Sequence, residues 1–337
     1  MEQWKRLFEL ADKLKALQPW NFLYEDEIFG VRDPGTGTIG FISFMGARGE
    51  HYAMSVYLGE RALMKFFNLS ENADNMSPES ILEISQLQVS FEGRDQLEKE
   101  DREIIKAIGK KYSGKSAWPM FRSFRPGMVP WFLEEAEKES MICFLEQAIE
   151  VASRPFIADL LQLKPAVPNV FLIRDYALIA EKPSWKDSFH QVHELPETEI
   201  TGPLPIELVR GVSTLPAGNL ILEADFFMTP AQIRPPGVRP FFSYMLLLVD
   251  KKSEMVLGFE NLDPSNGLEP MYGKIPAILL KQIKGLKTRP KEIHVSSDVL
   301  TKLGNTITRG INVPVIKKNR LPALGKAKKD VMRYLQG

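Results

Sequence analysis

A single cysteine among 337 residues excludes an internal disulfide and any zinc site built from cysteines. That residue, Cys143, lies in the helical pattern EEAEKESMICFLEQAIEVA, where a small buried apolar side chain is expected. Histidine is scarce too: His51, His190, His193 and His294 are the only four. The pair in HQVH falls on no helical pattern, and the nearby carboxylates complete no recognised metal set. There is no G-x-S-x-G nucleophile elbow, and Cys143 has no base partner in sequence. No apolar run approaches the roughly 20 residues of a membrane span. The opening MEQWKRLFELADKLKAL is amphipathic with mixed charge, unlike the unbroken apolar core of a signal peptide. A cytoplasmic protein without membrane contact is the expectation.

Net charge is also missing, because 43 Lys/Arg balance 43 Asp/Glu. Its distribution is uneven. Met271 to Gly337 holds fifteen Lys/Arg against three Asp/Glu, a net of +12, so the first 270 residues carry −12. A basic end on an acidic body suits an anionic partner, or contact between the two parts. Lys317, Lys318 and Arg320 in KKNR, with Lys326, Lys328 and Lys329 in KAKK, are the candidate nucleic-acid contacts. A solvated lysine-rich helix face is the plain alternative.

Two glycine motifs are present, and both stand in the wrong context. GKKYSGKS places Gly109, Gly114, Lys115 and Ser116 in the phosphate-loop spelling G-x-x-x-x-G-K-[ST]. That loop works when a buried strand leads in and a helix leads out, so that amides converge on phosphate. Here a helical pattern leads in, and Pro119 follows too soon for a long helix to begin. GTGTIG, Gly35 to Gly40, spells a dinucleotide fingerprint but is read as a turn followed by a strand. No nucleotide cofactor is expected at either. KKYSGKSAWPMFRSFRPGMVPW interleaves Trp118, Phe121, Phe124 and Trp131 with Lys115, Arg122 and Arg125. Base stacking is one use of such a pattern; aromatics pinning an arm to its own core is the preferred one.

The order of elements predicts an α+β N-terminal domain over 1–160, a proline-rich ordered connector over 161–217 in which NVFLIRDYALIAE forms one or two strands, and an α/β C-terminal domain over 218–337. The last reads β-β-β-α-β-α-β-α, with alternation in its second half that implies parallel pairing. Three acids there invite explanation. Asp225 sits mid-strand in LILEADFF, where aspartate is disfavoured. Asp298 stands at the strand-to-helix junction of IHVSSDVL, a natural helix cap. Glu269 lies just before Pro270, ahead of the helical pattern IPAILLKQIKGL.

With EADFF and HVSSD in these places, the last third resembles the ribonuclease H-like fold. The resemblance implies a Mg²⁺ or Mn²⁺ site in which Asp225 and Asp298 are the first-strand and fourth-strand acids. Glu269 matches the first-helix acid only approximately. The whole chain, through PWNFLYEDEIFGVRDPGTGTIGFISFMG, VYLGERAL, GKSAWPMFRSFRPGMVPWFLEEAE, IHVSSDVLTKL and INVPVIKKNRLPAL, also resembles an uncharacterised bacterial family classed as domains of unknown function. A non-enzymatic binding or regulatory protein is the first reading, with a nucleic-acid or protein partner. A nucleic-acid-binding protein or metal-dependent nuclease is the alternative, with Asp225, Glu269 and Asp298 as its catalytic residues.

Overall fold

Two mixed sheets organise the chain. The computed structural model describes residues 1–71, 78–162, 168–179, 182–193 and 200–336. These divide into two compact units, Met1–Arg125 with Pro130–Pro196, and Pro126–Val129 with Glu197–Gly337.

The first unit opens with helix α1 (Glu2–Leu17), whose Trp4, Leu7, Phe8, Ala11 and Leu14 fall on one face and are buried. Strands β1 (Phe29–Arg32), β2 (Ile39–Met45) and β3 (Ala53–Leu58) follow. Next come α2 (Glu60–Glu71), β4 (Gln86–Glu92), α3 (Lys99–Ala107), β5 (Trp118–Phe124), α4 (Glu135–Ala152) and α5 (Ile157–Gln162). Strands β6 (Val170–Ile179) and β7 (Lys182–Gln191) complete a seven-stranded sheet of order β5-β4-β3-β2-β1-β6-β7. Its pairs are antiparallel apart from β1 with β6.

Side chains alternate across each strand. Ile42, Phe44, Met54, Val56, Leu87, Val89, Phe91 and Phe121 join the faces of α1 and α4 in the larger core. Phe41 and Tyr57 point the other way, onto Ala62 and Leu63 of α2. Gly40 is required by this packing, because a Cβ there would lie 2.6 Å from both Phe144 and Val56.

The second unit holds α6 (Ile206–Ser213), β8 (Ile221–Ile233), β9 (Phe241–Asp250), β10 (Val256–Leu262) and α7 (Leu268–Gly285). Then come β11 (Glu292–Val295), α8 (Asp298–Ile311), β12 (Val315–Lys317) and α9 (Pro322–Gln336). The sheet order is β10-β9-β8-β11-β12. The pairs β10–β9 and β9–β8 are antiparallel; β8–β11 and β11–β12 are parallel. Leu222, Ala224 and Phe226 bury one face with α6, α7 and α8. Phe227, Met245, Leu247 and Val249 bury the other under Leu321, Ala323 and Leu324 at the start of α9. The tetrapeptide Pro126–Val129 is part of this unit. Met128 bridges Phe241, and Val129 N–H donates to Pro240 O at 3.0 Å. Gly127 has φ +79°, and a Cβ there would meet Pro264 at 2.8 Å and Leu268 at 2.9 Å.

Several elements differ from the sequence-based expectation. In the stretch 161–217, β7 and α6 stand where connector is expected, while β6 falls within NVFLIRDYALIAE, expected as one or two strands; parts of LKPAVPN, EKPSW and HELPE lie outside the described residues. Helix α7 begins at Leu268, so Glu269 lies inside its first turn and not ahead of it. Pro270 does not block this start, since first-turn amides have no intrahelical acceptor. The cap of α8 is Ser297, whose hydroxyl accepts from Leu300 N–H, so Asp298 is the first helical residue and not the cap.

Candidate functional site at the ends of β8, β11 and β12

Neither glycine motif forms a phosphate cradle. Gly109 ends α3 at φ +74°, and β5 follows the loop. Lys110 and Tyr112 are held by Asp12 of α1, at 2.7 and 3.0 Å, and Lys15 donates to Ser116 O. In GTGTIG the backbone N–H groups of Gly35 and Gly37 fold back on Asp33, and Gly40 is already in β2. Asp33 also accepts from the hydroxyls of Thr36 and Ser140.

The basic–aromatic stretch is built into the first unit. Phe121 meets the rings of Phe8 and Trp4 edge-on, at 5.3 and 5.9 Å. Arg122 grips Asp101 through two nitrogens, at 2.8 and 2.6 Å, with both side chains buried. Arg125 bonds Glu134 and Glu137. Cys143 is half-buried, and burial with the nearby Asp33 and Glu146 pushes its thiol up to about 12. His190 bonds Glu60 at 2.7 Å, whereas His193 is exposed.

The second unit concentrates polar groups at one end of its parallel strands. Because Ala224 of β8 stands beside Val295 of β11, the next residue on β8, Asp225, reaches the chain leaving β11. Its Oδ1 accepts Ser297 N–H at 3.1 Å, one residue from Asp298. Its Oδ2 accepts from Lys328 Nζ of α9 at 3.4 Å, and that ammonium lies 4.0 Å from the centre of the Phe227 ring. Asp225 is buried, with its side chain 9% exposed. Asp298 faces solvent and accepts from Lys317 Nζ at 3.0 Å. Two residues before Asp225 and on the same strand face, buried Glu223 accepts Leu324 N–H at 2.8 Å. That bond satisfies an otherwise unpaired amide in the first turn of α9. Buried His294, opposite Glu223 in register, bonds Glu292 at 2.9 Å, and this bond holds the Glu292 carboxyl below its usual range.

Of the six candidate cations, Lys317, Lys326 and Lys328 are ion-paired, with Asp298, Glu254 and Asp225 respectively. Lys318, Arg320 and Lys329 are exposed and have no ion pair among the described residues. Among the described residues no three or more His, Cys, Asp or Glu are grouped to hold a metal ion, so Asp225, Glu269 and Asp298 are not gathered as a three-ligand set. Glu223 and Glu254 are not singled out by sequence reasoning. Glu223 carries the same signal as Asp225, an acid in mid-strand with period two; Glu254 carries none.

The chain matches two family models, each described as a domain of unknown function: DUF7309 over residues 4–167 and DUF6930 over residues 208–332. The interval between the two matches contains β6 and β7. No curated protein and no solved structure matches the chain. No helix among the described residues is long and apolar enough to cross a membrane.

Proposed function

We propose that this is a non-enzymatic binding protein of the bacterial cytoplasm whose C-terminal unit, on a ribonuclease H-like plan, holds a nucleic acid on the basic side of β12 and α9. The strand order β10-β9-β8-β11-β12, antiparallel then parallel, supports the plan. One observation carries the binding role. Lysine ammonium groups sit on Asp225 and Asp298, the acids that the resemblance would give to a metal, while Lys318, Arg320 and Lys329 stay in solvent. A lysine on a carboxylate cancels the negative charge that attracts a divalent cation. Exposed cations without a close ion pair are the ones most able to neutralise phosphates and release counterions.

The test is oligonucleotide binding by fluorescence anisotropy between about 50 and 200 mM salt. Affinity is expected to fall steeply with salt. Replacing Lys318, Arg320 and Lys329 together with alanine is expected to flatten the log–log slope, by about 0.9 for each duplex phosphate no longer neutralised. Absence of binding at the lowest salt refutes the proposal.

A metal-dependent nuclease is the second reading, favoured by the Asp225 bond to the amide beside Asp298. Because the three acids are not grouped, Asp225 and Asp298 would hold Mg²⁺ or Mn²⁺ without Glu269, and the metal would supply a polarised water and charge stabilisation at phosphate. Cleavage of an RNA–DNA hybrid that needs the metal and disappears in Asp225→Asn would establish it over the binding reading.

A further inference from the structure

We infer that the solvent face of α9 selects single-stranded nucleic acid, with Tyr334 as the platform on which an unpaired base stacks. The inference deepens the nucleic-acid reading and rests on it. Helical spacing sets the geometry, since residues four apart lie one above the other. Lys326, Asp330 and Tyr334 form one such row, and Lys329 and Arg333 form the next. All five are exposed; Lys326, Lys329 and Arg333 lie on the side opposite Leu324, Ala327 and Val331, which pack toward the sheet, while Tyr334, seven residues past Ala327, stands at the end of the helix beyond those contacts. From Lys326 to Tyr334 the row runs about 12 Å along the helix. Asp330 is the one acid in it, and Arg333 stands 3.4 Å away as its counter-ion.

Tyr334 is 87% exposed and makes no ring contact among the described residues. A lone exposed apolar side chain is ordinary. What distinguishes this one is its company: an unpacked aromatic ring at the end of a row that carries Lys326, beside Lys329 and Arg333. Lys329 has no ion pair among the described residues, and the exposed pairs of Lys326 with Glu254 and Arg333 with Asp330 are weak enough for a phosphate to replace the carboxylate. Cations that track a backbone together with an aromatic that accepts a base face are the two components of single-strand binding. The cations serve a duplex equally well, because they read phosphate. The ring does not, since base faces inside a duplex are already stacked on their neighbours. Tyr334 therefore contributes to one ligand class only, and this gives the inference a readout separate from the charge.

The experiment uses the full chain with labelled oligo-dT, oligo-U and a DNA duplex of the same length, at low salt. The unaltered chain is expected to bind a single strand more tightly than the duplex. Tyr334→Ala is expected to weaken single-strand binding about 5- to 150-fold, the range of one stacked base. Duplex affinity is expected to stay within about twofold, and Tyr334→Phe, which keeps the ring, to retain single-strand affinity within the same margin. An exposed side chain carries little of the fold, and an unchanged melting temperature checks this. Weaker binding in either the DNA or the RNA single-strand arm supports the inference. No change in either arm, or an equal decrease on the duplex, overturns it while leaving nucleic-acid binding in place. Failure of the unaltered chain to bind any of the three removes the nucleic-acid reading and this inference with it.

Discussion

The two units differ in how their buried charges are matched. In the first, cations are brought inside and matched with carboxylate side chains. Arg122 is forked onto Asp101, and Arg174 lies between Glu150 and Asp187, with Arg154 on the same two acids. In the second, it is acids that are brought inside, and backbone amides receive them: Glu223 at the start of α9 and Asp225 at the start of α8. The first unit thus commits these three arginines to its own fold, while Arg48, Arg94 and Lys115 stay exposed. The second caps its helices from the sheet and leaves Lys318, Arg320 and Lys329 exposed. What the overall charge of zero conceals is the sign of the two stretches, −12 up to residue 270 and +12 from Met271 on.

The largest expected effect breaks the comparison at Arg122. Asp101→Ala takes the close carboxylate from a buried guanidinium, leaving it Glu98 at 3.9 Å and the Phe121 carbonyl, and removing one partner from a buried pair costs about 3–5 kcal/mol. All five tryptophans, Trp4, Trp20, Trp118, Trp131 and Trp185, lie in the first unit, so tryptophan fluorescence during urea denaturation reports on it alone. A destabilisation below about 1 kcal/mol would mean that the pair behaves like an exposed bridge, and the two units would not differ in this respect.

Next in size is Glu223→Ala. It leaves Leu324 N–H buried without an acceptor, at a cost of about 1–3 kcal/mol. Hydrogen exchange at the first amides of α9 is expected to rise, with tryptophan fluorescence unchanged. Glu223→Gln keeps an acceptor oxygen and is expected to be milder. Equal exchange in the unaltered chain and Glu223→Ala would show that α9 is held by its apolar face alone.

Acid sharpens the comparison further. Burial alone would raise Glu137, yet the Ser123 hydroxyl, the Glu134 amide and the Arg125 guanidinium together hold its carboxyl below the usual range. Burial is likewise outweighed at Asp187 by Arg154 and Arg174. A carboxylate with a depressed folded pKa gives stability that is complete above the unfolded value, near 4, and is lost as pH falls through the folded value. The tryptophan-reported melting temperature is therefore expected to drop below about pH 4. Glu137→Gln and Asp187→Asn are expected to flatten that drop. A profile with the same slope in both variants would place the acid sensitivity elsewhere.

The sequence makes some of this legible and hides the rest for physical reasons. Strand β9 is plain because FFSYMLLLV is buried on both faces and therefore apolar throughout. Strand β7, KPSWKDSFHQ, is not. It is an edge strand whose exposed Lys186 and Asp187 suit a rim, and they read locally as loop. Asp225 stands out because an acid in mid-strand requires a partner. That its partners are Ser297 N–H and Lys328 depends on residues 72 and 103 positions away, which no local pattern encodes. Ser297 and Asp298 are both good caps, and only the backbone path decides between them. The place of Pro126–Val129 in the second unit is equally hidden, since its partners Pro240 and Phe241 lie more than a hundred residues on.

The smallest effect tests what the lysines of the second unit are for. Lys317 and Lys326 are paired, but with exposed acids, Asp298 and Glu254, both at least half open to solvent. Exposed pairs of this kind contribute at most about 1 kcal/mol, so a phosphate can take the place of either carboxylate. Asp225 is different, because it is buried and Lys328 lies over the Phe227 ring, which commits that lysine to the fold. If the basic face binds polyanions, Asp298 and Glu254 compete with the ligand for two of its cations. Asp298→Asn and Glu254→Gln are each expected to tighten oligonucleotide binding about two- to fivefold at low salt. Because the liberated lysine can neutralise one more phosphate, the salt slope is expected to steepen by up to about 0.9 per variant. Lys328→Ala is expected instead to lower stability, by leaving Asp225 with the Ser297 amide alone. Tighter binding in both acid variants, with an unchanged melting temperature, would mark these carboxylates as restraints on the surface and not supports of the fold. Unchanged affinity in both would move the polyanion interface to Lys318, Arg320 and Lys329 alone.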